Sequence, residues 1–143
     1  MLVGKPHIEK FLPQRAPIVM VDELLEASTE RAITRFEIRS NTLFVENNFL
    51  TEAGLIENIA QTAAAQAGYL AQQQGVATPV GFIASINDLR INQFPNVGAV
   101  LTTSIAVVNR VFEVIIIQAQ TKQDMRELCS CQMKIFIKPQ DRA

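Results

Sequence analysis

The stretch TEAGLIENIAQTAAAQAGYLAQQQ, residues 51–74, predicts the long helix around which the chain folds. Its apolar residues recur at helical spacing, and many of them are alanine, so another layer can pack close to the helix axis. Thr51 or Glu52 suits the first turn, where backbone N–H groups lack partners. Gly75 suits the end, since glycine adopts a left-handed conformation without a steric penalty. We therefore expect a helix over about residues 52–74.

Glu57 and Gln61 form a polar pair on this helix, beside the apolar residues Ile56 and Ile59. They are spaced i, i+4, so their side chains are neighbours on one helix face. A carboxylate at the margin of a buried face is either solvated or part of a functional site, because glutamate is seldom buried without a partner. The residues by themselves leave both interpretations open.

Length and charge limit the functions that the chain can have. A chain of 143 residues can form one domain with a full core, so we expect a single domain over 1–143 with an N-terminal arm at 1–12. A net charge of −1 gives no basic surface for nucleic acid or an anionic membrane. No apolar run approaches the roughly 18 residues of a membrane span, and the first residues lack the apolar core of a signal peptide. We expect a cytoplasmic protein that binds neither nucleic acid nor a membrane.

The cysteines, Cys129 and Cys131, are two residues apart in a segment that predicts a strand. Their side chains then point to the same face and lie too far apart to form a disulfide easily. One distant histidine, His7, does not complete a zinc site with them. We expect two reduced thiols, in keeping with the cytoplasm, and neither a metal nor a cofactor.

The segments on either side of the helix predict mainly strands. Residues 7–12 predict a helical turn that ends at Pro13, and the apolar run 18–21 predicts a buried strand. Polar and apolar residues alternate over 31–39, which predicts a half-buried strand. Residues 42–46 predict a short extended segment, which Asn47 and Asn48 interrupt before the helix. Four further strands are predicted after the helix, at 80–92, 99–108, 111–121 and 126–138.

The order of these elements predicts an α+β fold. Short turns place consecutive strands side by side and antiparallel. One long apolar helix with about six antiparallel strands favours a sheet that curls around the helix. Because an exposed sheet edge invites pairing with another chain, a dimer that joins two edges would remove this liability.

Three segments, taken in order, resemble the β-hydroxyacyl-ACP dehydratases (FabA/FabZ-like). LPQRAPIVMVD at 12–22 resembles their LPHRxPFxxVD signature, and GLIENIAQ at 54–61 resembles the ExxAQ motif of their central helix. GFIASINDLRIN at 81–92, followed by FPNVG at 94–98, resembles their FAGIxxxRFxxPVxPGD segment. The similarity covers about residues 7–138, and the three segments together are more specific than any one of them.

This resemblance implies a hot-dog fold, an antiparallel sheet wrapped around one long helix, usually paired as dimers. It implies an acyl chain on an acyl carrier protein or on coenzyme A as the ligand. The family's site lies between the helix glutamate of one subunit and a histidine of the other. Carried over, Glu57 and Asn48 are the catalytic positions, and substrate binding falls to Gln61, Phe49, Gly54 and Phe82.

The sequence departs from the family at the positions that do the chemistry. Dehydration of a 3-hydroxyacyl thioester needs one group to accept the α-proton and another to donate to the hydroxyl. Asn48 stands where the histidine is expected, and an amide cannot accept a proton near neutral pH. Thr51 and Glu52 replace the Pro-Gly of the helix start, and Gln14 replaces the histidine of LPHR.

Several functions are therefore compatible with the sequence. The first is a dehydratase in which Glu57 acts and Asn48 orients substrate or water. The second is a thioesterase in which Glu57 activates water and Asn48 positions it. The third is a non-catalytic hot-dog subunit, whose completed site would take a histidine from a related partner. In a fourth, His7 reaches the site from the N-terminal arm.

Overall fold

The computed structural model describes residues 1–138, so the C-terminal tail 139–143, in which the sequence has no pattern, lies outside the described residues. A 3₁₀ helix, Lys5–Phe11, precedes the first strand. One α-helix, α1, spans Glu52–Gln73. The strands are β1 Glu23–Ala27, β2 Arg31–Glu37, β3 Val45–Glu46, β4 Phe49–Leu50, β5 Val80–Ile91, β6 Val100–Val111, β7 Val114–Gln123 and β8 Arg126–Lys138.

Six of these strands form one antiparallel sheet in the order β1-β2-β6-β7-β8-β5, and β3 pairs with β4 separately. Alternate residues of the sheet turn inward against α1, as the burial of Ala32, Thr34 and Phe36 along β2 illustrates. The predicted α+β class, with about six antiparallel strands around one long helix, is confirmed. The prediction missed β4, which is only two residues long.

The central helix has the predicted bounds. It begins at Glu52 and ends at Gln73, followed by Gly75 at φ 71°. The Thr51 hydroxyl donates to the carbonyl of Phe44, at 2.8 Å, instead of capping the helix. This bond ties the start of α1 to the segment before β3. Within residues 1–138, no helix combines the length and apolar character that a membrane crossing requires.

The predicted buried strand at 18–21 is wrong, because the first strand of the sheet begins only at Glu23. Side chains of α1 bind the backbone of this segment. Gln61 accepts a hydrogen bond from the amide of Met20 at 2.6 Å and donates to the carbonyl of Ile18 at 2.8 Å. Asn58 donates to the carbonyl of Met20 at 2.7 Å. These backbone groups have helix side chains as partners, so the segment crosses α1 and does not join the sheet.

The two edges of the sheet differ. The edge at β1 is covered by the N-terminal segment, since Val3 bridges Leu24 and accepts its amide at 2.9 Å. On the other side, β5 pairs with β8 alone among the described strands. Phe82 and Ile83 of this strand are 56% and 41% exposed. The outer edge of β5 is therefore available for pairing with another chain.

Candidate active site

Glu57 and Gln61 lie together in the structure. The Gln61 Nε2 atom donates to Glu57 Oε2 at 2.8 Å, across the single helical turn that the sequence predicts. Gln61 is fully buried, whereas Glu57 is half-buried. Within residues 1–138, no group donates a hydrogen bond to the other carboxylate oxygen, Oε1. Among the described residues, the carboxylate therefore has a hydrogen-bond donor on one of its two oxygens only.

The orientation of the Gln61 amide is fixed by the backbone. The amide of Met20 can only donate, so it must meet Oε1 of Gln61. The carbonyl of Ile18 can only accept, so it must meet Nε2. Gln61 consequently presents a donor, and never an acceptor, to Glu57.

The residue at the expected histidine position, Asn48, belongs to a tight turn. Asn47 and Asn48 have φ angles of 52° and 71° and connect β3 to β4 with two residues. Such hairpins need positive φ at both turn positions, which asparagine tolerates well. The carbonyl of Asn48 accepts the amide of Val97 at 3.0 Å, while its side chain is exposed. The local backbone thus accounts for an asparagine here.

A cavity of about 510 Å³ opens beside the start of α1, which is a size typical of small-molecule sites. Phe49 and Phe94 form apolar walls, and Glu46 and Glu52 place carboxylates at it. Its remaining lining residues are Asn47, Leu50, Thr51 and Gln93. Of the predicted site residues, only Phe49 lines this cavity. Phe94 was not among the predicted site residues, although the FPNVG stretch that contains it resembles a segment of the dehydratases.

The other predicted positions are not among the residues that line the cavity. Gly54 is buried, and a side chain there would meet Leu50. Phe82 lies on the edge strand β5, opposite Phe136 of β8. His7 is exposed on the 3₁₀ helix, which packs through its last residue against Gly68, about three turns beyond Glu57 along α1. Within residues 1–138, Glu57 and Gln61 are bonded to each other, and no hydrogen bond or ion pair joins either of them to His7.

Asp22 anchors the LPQRAPIVMVD stretch to β2. Its Oδ2 accepts the amide of Glu37 at 2.8 Å and the Arg39 Nη2 at 2.9 Å. Its Oδ1 accepts the Arg39 Nη1 at 3.2 Å, so the ion pair is bidentate. The hydrogen bond to Asp22 raises the pKa of Arg39. This ion pair and the side-chain amides of Asn58 and Gln61 together hold the LPQRAPIVMVD stretch against α1.

The family model described as ApeP dehydratase matches residues 6–143. The chain belongs to the ApeP-like dehydratase family. The resemblance to hot-dog dehydratases is thereby confirmed at the level of this family. A comparison with curated proteins found no match.

Solved structures of this shape confirm the hot-dog fold. A chain of the dehydratase heterocomplex ApeI:P from Xenorhabdus doucetiae is 15% identical, with a TM-score of 0.86 over 94% of this chain and 91% of that one. A hypothetical thioesterase from Streptococcus pneumoniae, solved with coenzyme A, is 12% identical, with a TM-score of 0.66 over 84% and 90%. A Streptococcus mutans protein bound to acetyl-CoA is 9% identical, with a TM-score of 0.67 over 91% and 97%. At these identities the likeness establishes the fold alone.

Proposed function

We propose that this protein supplies the helix carboxylate of a dehydratase site that it shares with a second hot-dog subunit, and that this subunit supplies the histidine. The observation that carries the proposal is the Glu57–Gln61 pair, a carboxylate held by an anchored amide. The residue at the histidine position of the same chain is Asn48. A homodimer would pair Glu57 with Asn48 in both sites, and neither site would contain a second acid–base group beside Glu57, although dehydration needs one group for the α-proton and another for the hydroxyl.

The proposed substrate is a 3-hydroxyacyl thioester carried by an acyl carrier protein or by coenzyme A. The partner's histidine accepts the proton from the α-carbon. Glu57, in its protonated form, donates its proton to the β-hydroxyl as the C–O bond breaks, so that an α,β double bond forms and water leaves. The proton that the histidine took from the α-carbon is then released, and Glu57 takes up a proton for the next cycle. Because Gln61 engages Oε2, the second oxygen, Oε1, suits this donor role.

Among the described strands, β5 has a neighbour on one side only, which supports pairing with a related subunit, since a second chain at the other side would satisfy the backbone groups of that edge. The similarity to a chain of the ApeI:P heterocomplex supports the same arrangement. Phe49 serves the acyl chain in this proposal because it lines the cavity at the start of α1. Phe82 reaches the acyl chain only at the subunit interface, since it lies on β5.

Dehydration of a 3-hydroxyacyl-ACP tests the proposal. It is measured with this chain alone, with a homologous subunit that has a histidine at the position of Asn48, and with the two co-purified. The co-purified complex should be active, and Glu57→Gln in this chain should lower kcat by about a hundredfold or more. Glu30→Gln, on the exposed β1–β2 connection, is the matched control and should leave kcat unchanged.

Two results would overturn the proposal. Full activity of the complex that carries Glu57→Gln would remove this carboxylate from the chemistry. Release of free thiol by this chain alone, lost in Glu57→Gln, would instead indicate a thioesterase.

A further inference from the structure

A row of buried hydroxyls crosses the sheet beneath α1, and the proposed chemistry does not use it. Thr34, Thr103 and Thr121 are paired partners on β2, β6 and β7, and each is fully buried. A buried hydroxyl without a hydrogen bond is costly, so its partners decide what it contributes.

The Thr103 hydroxyl is bonded to a side chain of the helix. Its Oγ1 lies 2.6 Å from Asn58 Oδ1 and 2.9 Å from the hydroxyl of Thr121. The Asn58 Nδ2 donates to the carbonyl of Met20, which can only accept, so Oδ1 must face Thr103. Thr103 therefore donates to Asn58, and its own oxygen accepts from Thr121. The direction of every bond in this row is determined.

The row continues from Asn58 to the carboxylate. The carbonyl of Met20 accepts from Asn58, and the amide of Met20 donates to Gln61. Gln61 in turn donates to Glu57. Hydrogen bonds thus connect Thr103 on the sheet with Glu57 on the helix, through the side chains that hold the crossing segment.

Thr34 is equally buried one strand away but has a different partner. Its hydroxyl bonds that of Thr62 at 2.7 Å, and Thr62 donates to the backbone carbonyl of Asn58 at 2.9 Å. That connection ends in the helix backbone and does not reach the Asn58 side chain. Thr34 is therefore a matched control for Thr103.

We infer that Thr103 is a positioning residue for Glu57, acting through Asn58, Met20 and Gln61. Without its hydroxyl, Oδ1 of Asn58 is buried without a donor, and the amide is free to turn away from Met20. Gln61 then loses a fixed anchor, and the carboxylate that it holds is less well placed. The catalytic consequence rests on the proposed function, whereas the effect on Met20 does not.

The test compares Thr103→Val, Thr103→Ser and Thr34→Val in the active complex and in the isolated chain. Thr103→Val should lower kcat by about tenfold with KM nearly unchanged, because misplaced catalytic groups slow the chemical step more than binding. Thr103→Ser keeps the hydroxyl and should restore kcat. In the isolated chain, hydrogen exchange of the Met20 amide should accelerate in Thr103→Val and stay unchanged in Thr34→Val.

The outcomes separate this inference from the proposed function. Equal effects of Thr103→Val and Thr34→Val on kcat and on Met20 exchange would overturn the inference, since both would then reflect core packing. If Glu57→Gln leaves dehydration intact, the proposed function fails, and Met20 exchange alone decides the inference. Should Thr103→Val not fold, Thr121→Val replaces it, because it removes the donor to Thr103 and should accelerate Met20 exchange to a smaller extent.

Discussion

Gln61 donates to the Glu57 carboxylate from 2.8 Å while its own oxygen is held by the amide of Met20 at 2.6 Å. One buried side chain therefore joins the candidate catalytic group to a backbone segment 41 residues away in sequence. Any replacement of Gln61 affects both the carboxylate and that crossing segment. The bond from Gln61 to Glu57 and the bond from Met20 to Gln61 thus depend on the same side chain.

Replacing Gln61 with glutamate tests this connection at constant size. Gln61→Glu replaces the Nε2 donor by a carboxylate oxygen. This oxygen then faces two other acceptors, the Glu57 carboxylate and the carbonyl of Ile18. We expect the free energy of unfolding to fall by about 2–4 kcal/mol, because a buried acceptor then faces two others. Dehydration by the complex should fall together with it. Urea denaturation and kcat are the measurements.

Gln66→Glu separates stability from activity. Gln66 is also a buried amide of α1, and it donates to the carbonyl of Ser28 at 2.7 Å without touching Glu57. Its replacement should destabilise the fold by a similar mechanism and leave kcat per folded complex unchanged. Equal losses of kcat in the two variants would mean that Gln61 has no specific relation to the carboxylate.

Asp22→Asn tests the anchor of the crossing segment. The change removes the negative charge of the Asp22 side chain. Two nitrogens of Arg39 and the backbone amide of Glu37 donate hydrogen bonds to this carboxylate. Hydrogen bonds to charged groups contribute about 1.5–3 kcal/mol, so the free energy of unfolding should fall by that amount in urea titrations. Glu23→Gln, which breaks the more exposed pair with Arg35 at 3.3 Å, should cost no more than about 1 kcal/mol. The idea of a buried anchor fails if both variants cost the same.

Local patterns predicted the elements whose own residues determine them. The helix at 52–74 follows from its helical periodicity and from Gly75 at its end, and the strands after it follow from the alternation of their residues. The run at 18–21 has the composition of a buried strand, but its backbone partners are Gln61 and Asn58. The residues 18–21 themselves give no indication that distant side chains will bind their backbone. The apolar composition of the segment was therefore misleading.

The candidate site was predictable only in part, for a related reason. Glu57 and Gln61 lie one turn apart on a helix, so their contact follows from spacing. The cavity at the start of α1 joins Phe49 to Phe94, which are far apart in the chain. The bridge between Phe49 and Asn96 brings these segments together. No periodicity predicts such a pairing between two irregular segments.

The cysteine thiols should be unreactive in the folded protein. Burial raises the pKa of Cys131 to about 11 and also raises that of Cys129. At pH 8 a thiol with this pKa is about one part in a thousand thiolate, which is the reactive form. Alkylation of the native protein should be slow at pH 8 and rapid for both cysteines in urea. Fast native labelling would contradict the buried placement.

The same shift gives stability a pH dependence. The folded state keeps the Cys131 proton to a higher pH than the unfolded chain, whose thiol has the ordinary value of 9.0. Between pH 9 and pH 11 the unfolded chain therefore binds fewer protons, and the free energy of unfolding should decrease as pH rises. Cys131→Ala should reduce this slope in urea titrations. An unchanged slope would assign the alkaline loss of stability to other groups.

Gly68→Ala tests the contact between α1 and the N-terminal 3₁₀ helix. A Cβ at this position would overlap the backbone carbonyl of Phe11, which cannot move without displacing the 3₁₀ helix. Overpacking of this kind costs about 1–3 kcal/mol of unfolding free energy, which urea denaturation measures. The change should also alter the packing of Phe11 on Tyr69, whose rings are 5.8 Å apart.

Tyr69 reports this displacement directly, because the chain has one tyrosine and no tryptophan. Its near-ultraviolet circular dichroism should change in Gly68→Ala and stay unchanged in Gly4→Ala, where the nearest atom to an added Cβ is at 3.5 Å. A Gly68→Ala protein with unchanged stability and an unchanged Tyr69 signal would show that the 3₁₀ helix does not pack against α1 at this glycine.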